Sequence, residues 1–571
     1  MKNVQIWLVL VCYTANVYCQ QSKFETSKGN ETATYFEAID WYKKLATTHK
    51  NIIVLQKGLT DAGYPLHVVL LSANANFLPQ QKNKVTILIN NGIHPGEPDG
   101  IDASMLFARD IVTKKITLPT NIMVAIIPVY NIGGCLNRNA YSRVNQNGPI
   151  EYGFRGNAQN LDLNRDFIKS DSREAQSFAK IFHWLQPHIL IDNHVSDGAD
   201  YQYTITMLTT QYNKLGNEMG QWLKEKFEPS LYKSMQQKKW EMTPYVNFET
   251  DNIETGLHMF YDPPRYSSGY AALFNTIGFV PETHMLKPYK DRVAATYAFM
   301  QTMMEQANIY ATTIVQQRIT AQQQLIQQAT FALTWKIDTT THTTIQFKGY
   351  NQAFKTSDAT GLQQMYYNHQ MPFEKPVKFY NTYIPANNIT APLAYIIPQG
   401  WYSVIQLMQL NGVQYYQLKK DTIITVETYK IESYKSYSTP YEKHHKNYAV
   451  QTSTQLQPIQ FLKGDYYIAT NQLAKRYIVE TLEPTGEDGF FAWNFFDAIL
   501  QQKEGYSDYR WDEVAAAYLK KDTALQQQLL LKKQTDTTFA NNAAAQLAYI
   551  YQHSPYYEPV YLRYPVFRLI Q

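Results

Sequence analysis

The 571-residue sequence is poor in cysteine, in net charge and in long apolar runs. Of its three cysteines, Cys12 and Cys19 lie in an N-terminal leader, so Cys135 alone remains for the rest of the chain and no intramolecular disulfide is expected there. The 52 basic and 48 acidic residues give a net charge of +4 without a concentrated basic block. This balance gives no electrostatic reason to expect a nucleic-acid partner.

The first 19 residues have the pattern of a secretory signal peptide. Lys2 supplies a positive charge at the start, residues 6–12 form a short apolar run, and small residues precede a cleavage position after Cys19. The apolar run is too short to span a membrane, and no later stretch approaches the roughly 18 uninterrupted apolar residues that a spanning helix needs. The sequence therefore predicts a secreted or periplasmic protein without a membrane span.

Residues 30–330 alternate between strand and helix patterns. Apolar, β-branched runs at 84–89, 121–129 and 187–192 are typical of buried strands. Stretches with apolar residues at helical spacing lie between these runs. This alternation predicts an α/β fold, in which a mixed, mostly parallel twisted sheet is flanked by helices.

Two further segments follow residue 330. Residues 331–484 contain short stretches rich in Thr, Tyr, Ile and Val between Pro and Gly turns, which predicts a β-rich accessory domain. Such a domain could contact a glycan or another protein. Residues 485–571 mix helix and loop patterns and are expected to pack on the rest of the chain.

One turn inside the β-rich segment has a recognisable dipeptide. Asn411-Gly412 separates two apolar stretches, at 404–410 and 413–418. Asn-Gly is favoured in two-residue hairpin turns, because both residues tolerate a positive φ. The sequence therefore predicts a β-hairpin at this place.

The most informative stretch of residues 30–330 follows the strand predicted at 84–89. His94 and Glu97 lie in a Gly- and Pro-rich turn after this strand, and a helix pattern begins at Ile101. Ligands of α/β proteins bind outside the carboxyl ends of the sheet strands. An imidazole and a carboxylate three residues apart in a tight turn can reach one metal ion, and Zn²⁺ accepts both kinds of ligand.

Two other predicted strands also end in polar side chains. His194 follows the buried run at 187–192, and as a third ligand it would leave one zinc position for water. Glu282 follows the apolar residues 278–281 and could act as a general base on that water. Each residue alone would more often be a structural histidine or a strand-end salt bridge.

A long aperiodic loop adds arginine and asparagine residues to these candidates. Arg155 begins this stretch, and Asn164 and Arg165 follow nine and ten positions later. A guanidinium group can bind a carboxylate through two hydrogen bonds, and it can stabilise an oxyanion. Long loops inside compact domains are usually functional or disordered.

Taken in order, these motifs resemble the carboxypeptidase A-type zinc carboxypeptidase family. The order is HxxE, then RxNxxxxDLNR, then a strand-end histidine, then GFxxE, and it spans roughly residues 30–330. The resemblance implies an eight-stranded mixed sheet and one Zn²⁺ ion bound by His94, Glu97 and His194. The last part of the chain, including Asp488 to Phe496, resembles C-terminal extensions of large secreted bacterial members.

The resemblance also implies roles for the remaining candidates. Glu282 would be the general base and Arg155 would stabilise the tetrahedral oxyanion. Asn164 and Arg165 would bind the terminal carboxylate of a peptide or protein substrate, with Tyr266 as a further substrate-binding residue. The implied function is zinc-dependent removal of residues from peptide C-termini by a metal-activated water.

Several alternatives stay open in the sequence. Tyr261 and Tyr270 compete with Tyr266, and Arg143 competes with Arg155 for the oxyanion. The preference for acidic, basic or apolar substrate side chains is also open. Two other functions compete with a carboxypeptidase: a zinc amidohydrolase acting on N-acyl amino acids or cell-wall peptides, and a non-catalytic binding protein built on the same scaffold.

Overall fold

In the computed structural model, residues 20–246 and 253–570 are described. The predicted signal peptide, residues 1–19, lies outside the described residues. Within these two described ranges, no helix combines the length and the apolar character needed to cross a membrane.

The chain up to residue 327 contains ten helices and ten strands among its described residues. The helices are α1 (Lys23–Thr26), α2 (Tyr35–Thr48), α3 (Asp99–Val112), α4 (Ile132–Leu136), α5 (Arg173–Leu185), α6 (Asn217–Trp222), α7 (Glu228–Gln237), α8 (Ser267–Ala272), α9 (Tyr289–Ile309) and α10 (Ala311–Gln327). The strands are β1 (Ile52–Leu59), β2 (Pro65–Ser72), β3 (Val85–Asn90), β4 (Ile122–Ile127), β5 (Ile189–Asp192), β6 (His194–Ser196), β7 (Ile205–Thr209), β8 (Met242–Pro244), β9 (Leu257–His258) and β10 (Ile277–His284).

The chain after residue 329 begins with strands and ends with helices. Its strands are β11 (Thr330–Ile337), β12 (Thr343–Thr356), β13 (Gln363–Tyr380), β14 (Tyr383–Thr390), β15 (Ala394–Ile397), β16 (Tyr416–Gln417), β17 (Thr422–Ser436), β18 (Asn447–Phe461), β19 (Tyr466–Ala469) and β20 (Phe567–Leu569). Its helices are α11 (Tyr402–Leu410), α12 (Lys475–Leu482), α13 (Asp508–Leu519), α14 (Thr523–Thr535), α15 (Thr537–Ala540) and α16 (Ala543–Gln552).

The central sheet confirms the predicted mixed α/β fold. Its order is β1-β2-β4-β3-β5-β10-β7-β8, and β6 pairs with β10 beyond the end of β5. Strands β4, β3, β5 and β10 are parallel to one another, and β7 is parallel to β8. The pairs β1–β2, β2–β4 and β10–β7 are antiparallel. Only Asn193 separates β5 from β6, so the two strands continue one line beside β10.

The two faces of the sheet contact different parts of the chain. Ile87 and Ile89 of β3 pack in a core with residues of α2, α3 and α9, whereas Leu88 faces the opposite core with residues of α5. This alternation follows from the period of two in a strand. The second core also contains Tyr395 and Phe491 from the C-terminal part, so that part shares a core with the central sheet.

The C-terminal part is rich in strands, as predicted, and forms three small sheets. Strands β11 and β14 form a pair, β13 pairs with both β12 and β9, and six strands form the order β16-β19-β15-β20-β17-β18. Because β9 precedes α8 in the chain, the second sheet joins the N-terminal and C-terminal parts. The domain boundaries proposed at residues 330 and 484 stay predictions.

The prediction of a β-hairpin at Asn411-Gly412 is wrong. Residues 402–410 form helix α11, whose buried residues Val404, Ile405, Leu407 and Met408 have helical spacing. Gly412 has a φ of 75° directly after the helix. Glycine tolerates the left-handed conformation that commonly ends a helix, so the dipeptide stops α11 and does not turn a hairpin.

Candidate active site

The central strands bring four predicted site residues to one edge of the sheet. Strands β3, β5 and β10 are parallel neighbours, so their carboxyl ends lie together. The turn after β3 carries His94 and Glu97. His194 starts β6, and it is the register partner of Glu282 in β10. Residues that are up to 188 positions apart in sequence thereby meet at this edge.

His94, Glu97 and His194 form a buried cluster that can hold a metal ion. One ligand atom from each residue lies within 4.8 Å of the others, and each residue is at most 5% exposed. The Nδ1 atoms of His94 and His194 each lie 3.2 Å from one carboxylate oxygen of Glu97. The three donors therefore point at a common centre.

The outer nitrogen of each histidine faces a second carboxylate. His94 Nε2 lies 2.8 Å from Asp162 Oδ1, and His194 Nε2 lies 3.2 Å from Asp192 Oδ2. If each Nε2 donates its proton to the adjacent carboxylate, each Nδ1 presents a lone pair toward the oxygens of Glu97. Lone pairs that face one another favour a cation between them, and metal-binding histidines usually have such outer partners.

This donor set fits zinc. Two imidazole nitrogens and one carboxylate, with a further position left for water, match the ligands of catalytic zinc sites. Arg143 and the backbone of Val195 support Glu97 from outside the cluster: Arg143 Nη1 donates to Glu97 Oε1 at 2.9 Å, and the Val195 N–H donates to Oε2 at 2.9 Å. Without a metal ion in the cluster, burial would raise the pKa of Glu97, but the positive charges of protonated His94 and of Arg143 hold it well below its ordinary value.

The cluster opens into a cavity of about 180 Å³. Glu282 lines this cavity beside the three donors and is partly exposed. Burial raises the pKa of Glu282, and the charge of Glu97 adds to this increase while His194 opposes it. A carboxyl group with a raised pKa beside a cluster that can hold a metal ion suits general-base catalysis. The described lining residues are His94, Glu97, Arg155, Asn164, Arg165, His194, Val195, Ser196, Asp197, Leu208, Tyr245, Phe260, Tyr266, Ser267, Ser268, Val280 and Glu282.

The two competing arginines occupy different places. Arg155 lines the cavity, and its side chain is 46% exposed. Its Nε donates to Asp162 Oδ2 at 2.9 Å, and its Nη1 lies 3.7 Å from Glu97 Oε1. Arg143 is not among the cavity-lining residues and contacts Glu97 from behind. The geometry therefore favours Arg155 as the arginine that can reach a substrate.

The three competing tyrosines also separate clearly. Tyr266 lines the cavity, and its ring lies 4.6 Å from the guanidinium carbon of Arg165. Tyr261 donates a hydrogen bond to Glu487 of the C-terminal part, and Tyr270 is fully buried. Tyr266 is thus the tyrosine of the three that can touch a molecule in the cavity.

Close backbone packing positions the turn that carries His94 and Glu97. A Cβ atom on Gly100, in the first turn of α3, would lie 2.5 Å from Asn91 Oδ1 and 2.6 Å from Asn193 Cβ. Only glycine lets the helix approach this asparagine pair, whose side chains share a 2.7 Å hydrogen bond. Asn131 links the turn to the arginine loop, because its Nδ2 donates to the carbonyls of Ile93 and Arg155.

The loop predicted around residues 155–166 is ordered by its own polar side chains. Asn157 Oδ1 accepts hydrogen bonds from two backbone N–H groups of the loop. Asp162 caps a short 3₁₀ turn, Leu163–Arg165, by accepting from the Asn164 N–H at 2.9 Å. Asp166 accepts from Lys169 and Ser172. These bonds explain how an aperiodic sequence can position Asn164 and Arg165.

Sequence reasoning assigned no role to two carboxylates of the site. Asp162 contacts His94, Arg155 and the capped turn, and Asp192 contacts the outer side of His194. A signal was available for each residue. Metal-binding histidines usually have carboxylate partners, Asp192 stands two positions before His194, and Asp162 belongs to the DLNR motif.

Comparisons with known proteins agree with the resemblance. Among solved structures, the carboxypeptidase A from Helicoverpa armigera matches with a TM-score of 0.39 and 16% identity, over 50% of this chain and 74% of that chain. Carboxypeptidase 2 from Trichophyton tonsurans is 21% identical over 456 residues, which cover 76% of this chain and 78% of that protein. The same-named protein of Trichophyton rubrum is 21% identical over 493 residues, with 81% and 84% covered. Residues 38–251 match the family described as zinc carboxypeptidase, so this part of the chain carries a domain of that family.

Proposed function

We propose that the protein is a secreted or periplasmic enzyme that removes residues one at a time from the C-termini of peptides or proteins. The observation that carries this proposal is the shared cavity of Glu282, Arg155 and Arg165 beside the His94–Glu97–His194 cluster. The names of the carboxypeptidase 2 relatives support the reaction. The signal-peptide pattern in residues 1–19 supports export.

His94, Glu97 and His194 would hold one zinc ion. Zinc bound there would polarise the scissile carbonyl and lower the pKa of a water molecule. Glu282, on the neighbouring strand, accepts a proton from this attacking water and delivers it to the leaving amine. The register of Glu282 with His194 supports this role, because it places the base next to a metal ligand.

Arginines at the cavity wall account for the negative charges of the reaction. Arg155 faces the oxygen on which charge develops in the tetrahedral intermediate. Arg165 and Asn164 bind the free carboxylate of the substrate, so that cleavage occurs one residue from the chain end. Tyr266 packs against Arg165 and keeps its guanidinium directed into the cavity.

The remaining wall suits an apolar substrate side chain. Leu208, Phe260 and Val280 contribute apolar surface, and Ser267 and Ser268 are small and uncharged. An apolar side chain gains from leaving water when it contacts such a wall. Among the described lining residues, one charged group, that of Asp197, stands outside the proposed catalytic and binding set. We therefore expect Leu or Phe to be preferred over Lys or Glu at the substrate C-terminus.

A peptide panel tests the proposal. N-blocked peptides ending in Phe, Leu, Lys or Glu, each as a free acid and as an amide, would be incubated with enzyme and followed by mass spectrometry. We expect release of a single Phe or Leu from the free acids only, loss of this activity with a chelator, and recovery on addition of zinc. Equal cleavage of the amides, or faster cleavage of N-acyl amino acids, would instead indicate an amidohydrolase.

A further inference from the structure

The C-terminal part sends one hairpin to the active site. Strands β17 and β18 pair along their length, and the connecting residues 437–446, here named the hairpin tip, lie against the loop that carries Arg165. Glu442 Oε2 in the hairpin tip accepts a hydrogen bond from the backbone N–H of Asp162 at 2.8 Å. These two residues are 280 positions apart in sequence.

Asp162 connects several parts of the site. Its two carboxylate oxygens contact His94 and Arg155, and it caps the turn that carries Arg165. Glu442 holds the backbone N–H of this residue. A displacement of Asp162 would therefore be transmitted to the turn and to Arg165.

A second residue of the hairpin tip lies close to Arg165. Burial raises the pKa of Tyr441, whereas the nearby positive charge of Arg165 lowers it. The ring of Tyr441 stacks on Trp493, with ring centroids 6.0 Å apart and an interplanar angle of 18°. Trp493 is fully buried, so Tyr441 is held from behind by the core of the C-terminal part.

Charged contacts anchor both sides of the hairpin tip. Lys446 and Arg265 donate to the same oxygen of Asp488, at 3.0 and 2.6 Å, and Arg265 precedes Tyr266 in the chain. His444 Nε2 lies 2.7 Å from Asp171 Oδ2, just after the arginine loop. Asp488 is 4% exposed, and buried ion pairs of this kind are costly to break.

The backbone of the hairpin tip is also unusual. Glu442 and Lys443 have φ values of 50° and 62°, a left-handed conformation that residues other than glycine rarely adopt. They are the two central residues of a tight hairpin turn, which paired backbone hydrogen bonds between Tyr441 and His444 close. This turn presents the Glu442 side chain to the Asp162 N–H.

We propose that the hairpin tip is a positioning element of the active site. Glu442 is the positioning residue: it holds the Asp162 turn, and it thereby sets how strongly Arg165 binds the terminal carboxylate of the substrate. The inference rests on the carboxylate-binding role proposed for Arg165. If the inference holds, the C-terminal part contributes to substrate selection.

The test compares Glu442→Ala and Glu442→Gln with a matched control, Glu432→Ala. Glu432 is an exposed glutamate on β17 of the same hairpin, and its carboxylate accepts a hydrogen bond from Ser453 on β18. KM, kcat, zinc content and melting temperature are measured on a Phe-terminated peptide as free acid and as amide. Glu442→Ala removes the acceptor for the Asp162 N–H, so we expect KM for the acid to rise about tenfold with kcat within about twofold.

The conservative variant sharpens this expectation. The amide oxygen of Glu442→Gln can still accept the Asp162 N–H, so its KM should stay within about threefold of the wild-type value. Glu432→Ala should equal the wild type. An unchanged KM in Glu442→Ala would overturn the proposal. So would a fall in melting temperature and kcat that leaves the acid-over-amide preference intact, because a purely structural contact would give that result.

Two further variants keep the test decisive. If Glu442→Ala does not fold, Tyr441→Phe removes only the hydroxyl group and keeps the ring on Trp493. We expect it to raise KM for the acid about threefold, and an unchanged KM would count against the proposal. Arg165→Ala separates the two hypotheses: if it leaves KM for the acid unchanged, the proposed function of Arg165 fails, and if it raises KM while the tip variants do not, the hairpin tip alone fails.

Discussion

Two groups of residues lie in the same cavity but are built differently. One is the metal-binding cluster, and the other is a substrate-binding rim that consists of Arg155, Asn164, Arg165 and Tyr266. His94, Glu97 and His194 are at most 5% exposed and follow or begin strands of the central sheet. The side chains of Arg155 and Arg165 are 46% and 21% exposed and come from a long loop whose regular structure is one short 3₁₀ turn, Leu163–Arg165. The sheet therefore positions the metal-binding residues. Side-chain contacts of the loop and the hairpin tip position the residues that bind the substrate.

This difference leads to different expectations for mutations. A change in the cluster or its base should abolish turnover, because each group acts on the reacting atoms. A change at Arg165 or Tyr266 should mainly alter KM, because these residues bind a part of the substrate that does not react, whereas a change at Arg155 should also lower kcat. The following variants test this division.

The largest effect is expected from Glu282→Gln. This change keeps the shape of the side chain beside His194 but removes the group that accepts the proton. Loss of a general base typically lowers kcat by about 10²–10⁴-fold. Zinc content, measured by elemental analysis of the purified protein, should stay at one ion per chain.

A variant with full zinc content and unchanged kcat would remove Glu282 from the mechanism. Glu241→Gln is a suitable control, since Glu241 pairs with Lys348 on the outside of the fold. Its kinetics should match those of the wild type.

A smaller effect is expected from Asp162→Asn. The asparagine oxygen can still accept from His94 Nε2, but the negative charge that orients and polarises the imidazole is lost. Removal of such an outer partner typically weakens metal affinity by about 10–100-fold. Competition with a fluorescent zinc chelator measures this directly.

Asp192→Asn tests the corresponding outer partner of the other histidine, His194. The contact of Asp192 Oδ2 with His194 Nε2 is longer, at 3.2 Å, and neither atom makes an aligned hydrogen bond. We therefore expect a weaker loss of zinc affinity than in Asp162→Asn. Equal losses would mean that charge near the histidines, and not hydrogen-bond geometry, determines their affinity.

The same division explains what could be predicted from sequence. The strands before His94 and His194 are continuous apolar runs, and polar residues at their ends had to meet at one sheet edge once the strands were parallel. The mixed α/β fold followed from the alternation of strand and helix patterns. These features depend on local periodicity, which the sequence displays directly.

The remaining features depend on contacts between distant residues. Nothing near Glu442 indicates that it accepts the backbone N–H of Asp162, 280 positions earlier. The strand predicted at 404–410 is helix α11, because four buried residues cover one helical face that packs in the second core. A short apolar run does not distinguish these outcomes without its packing partners.

The smallest expected effect concerns Tyr266 at the rim. Its ring lies 4.6 Å from the guanidinium of Arg165 and 5.5 Å from that of Arg265. A cation–π contact of about 1 kcal/mol corresponds to about a fivefold change in KM. Tyr266→Ala should therefore raise KM for a free-acid peptide about fivefold, whereas Tyr266→Phe keeps the ring and should match the wild type in a Michaelis–Menten comparison. If Tyr266→Phe loses as much as Tyr266→Ala, the hydroxyl group itself contacts the substrate, and the rim would then contribute to the reaction and not only to binding.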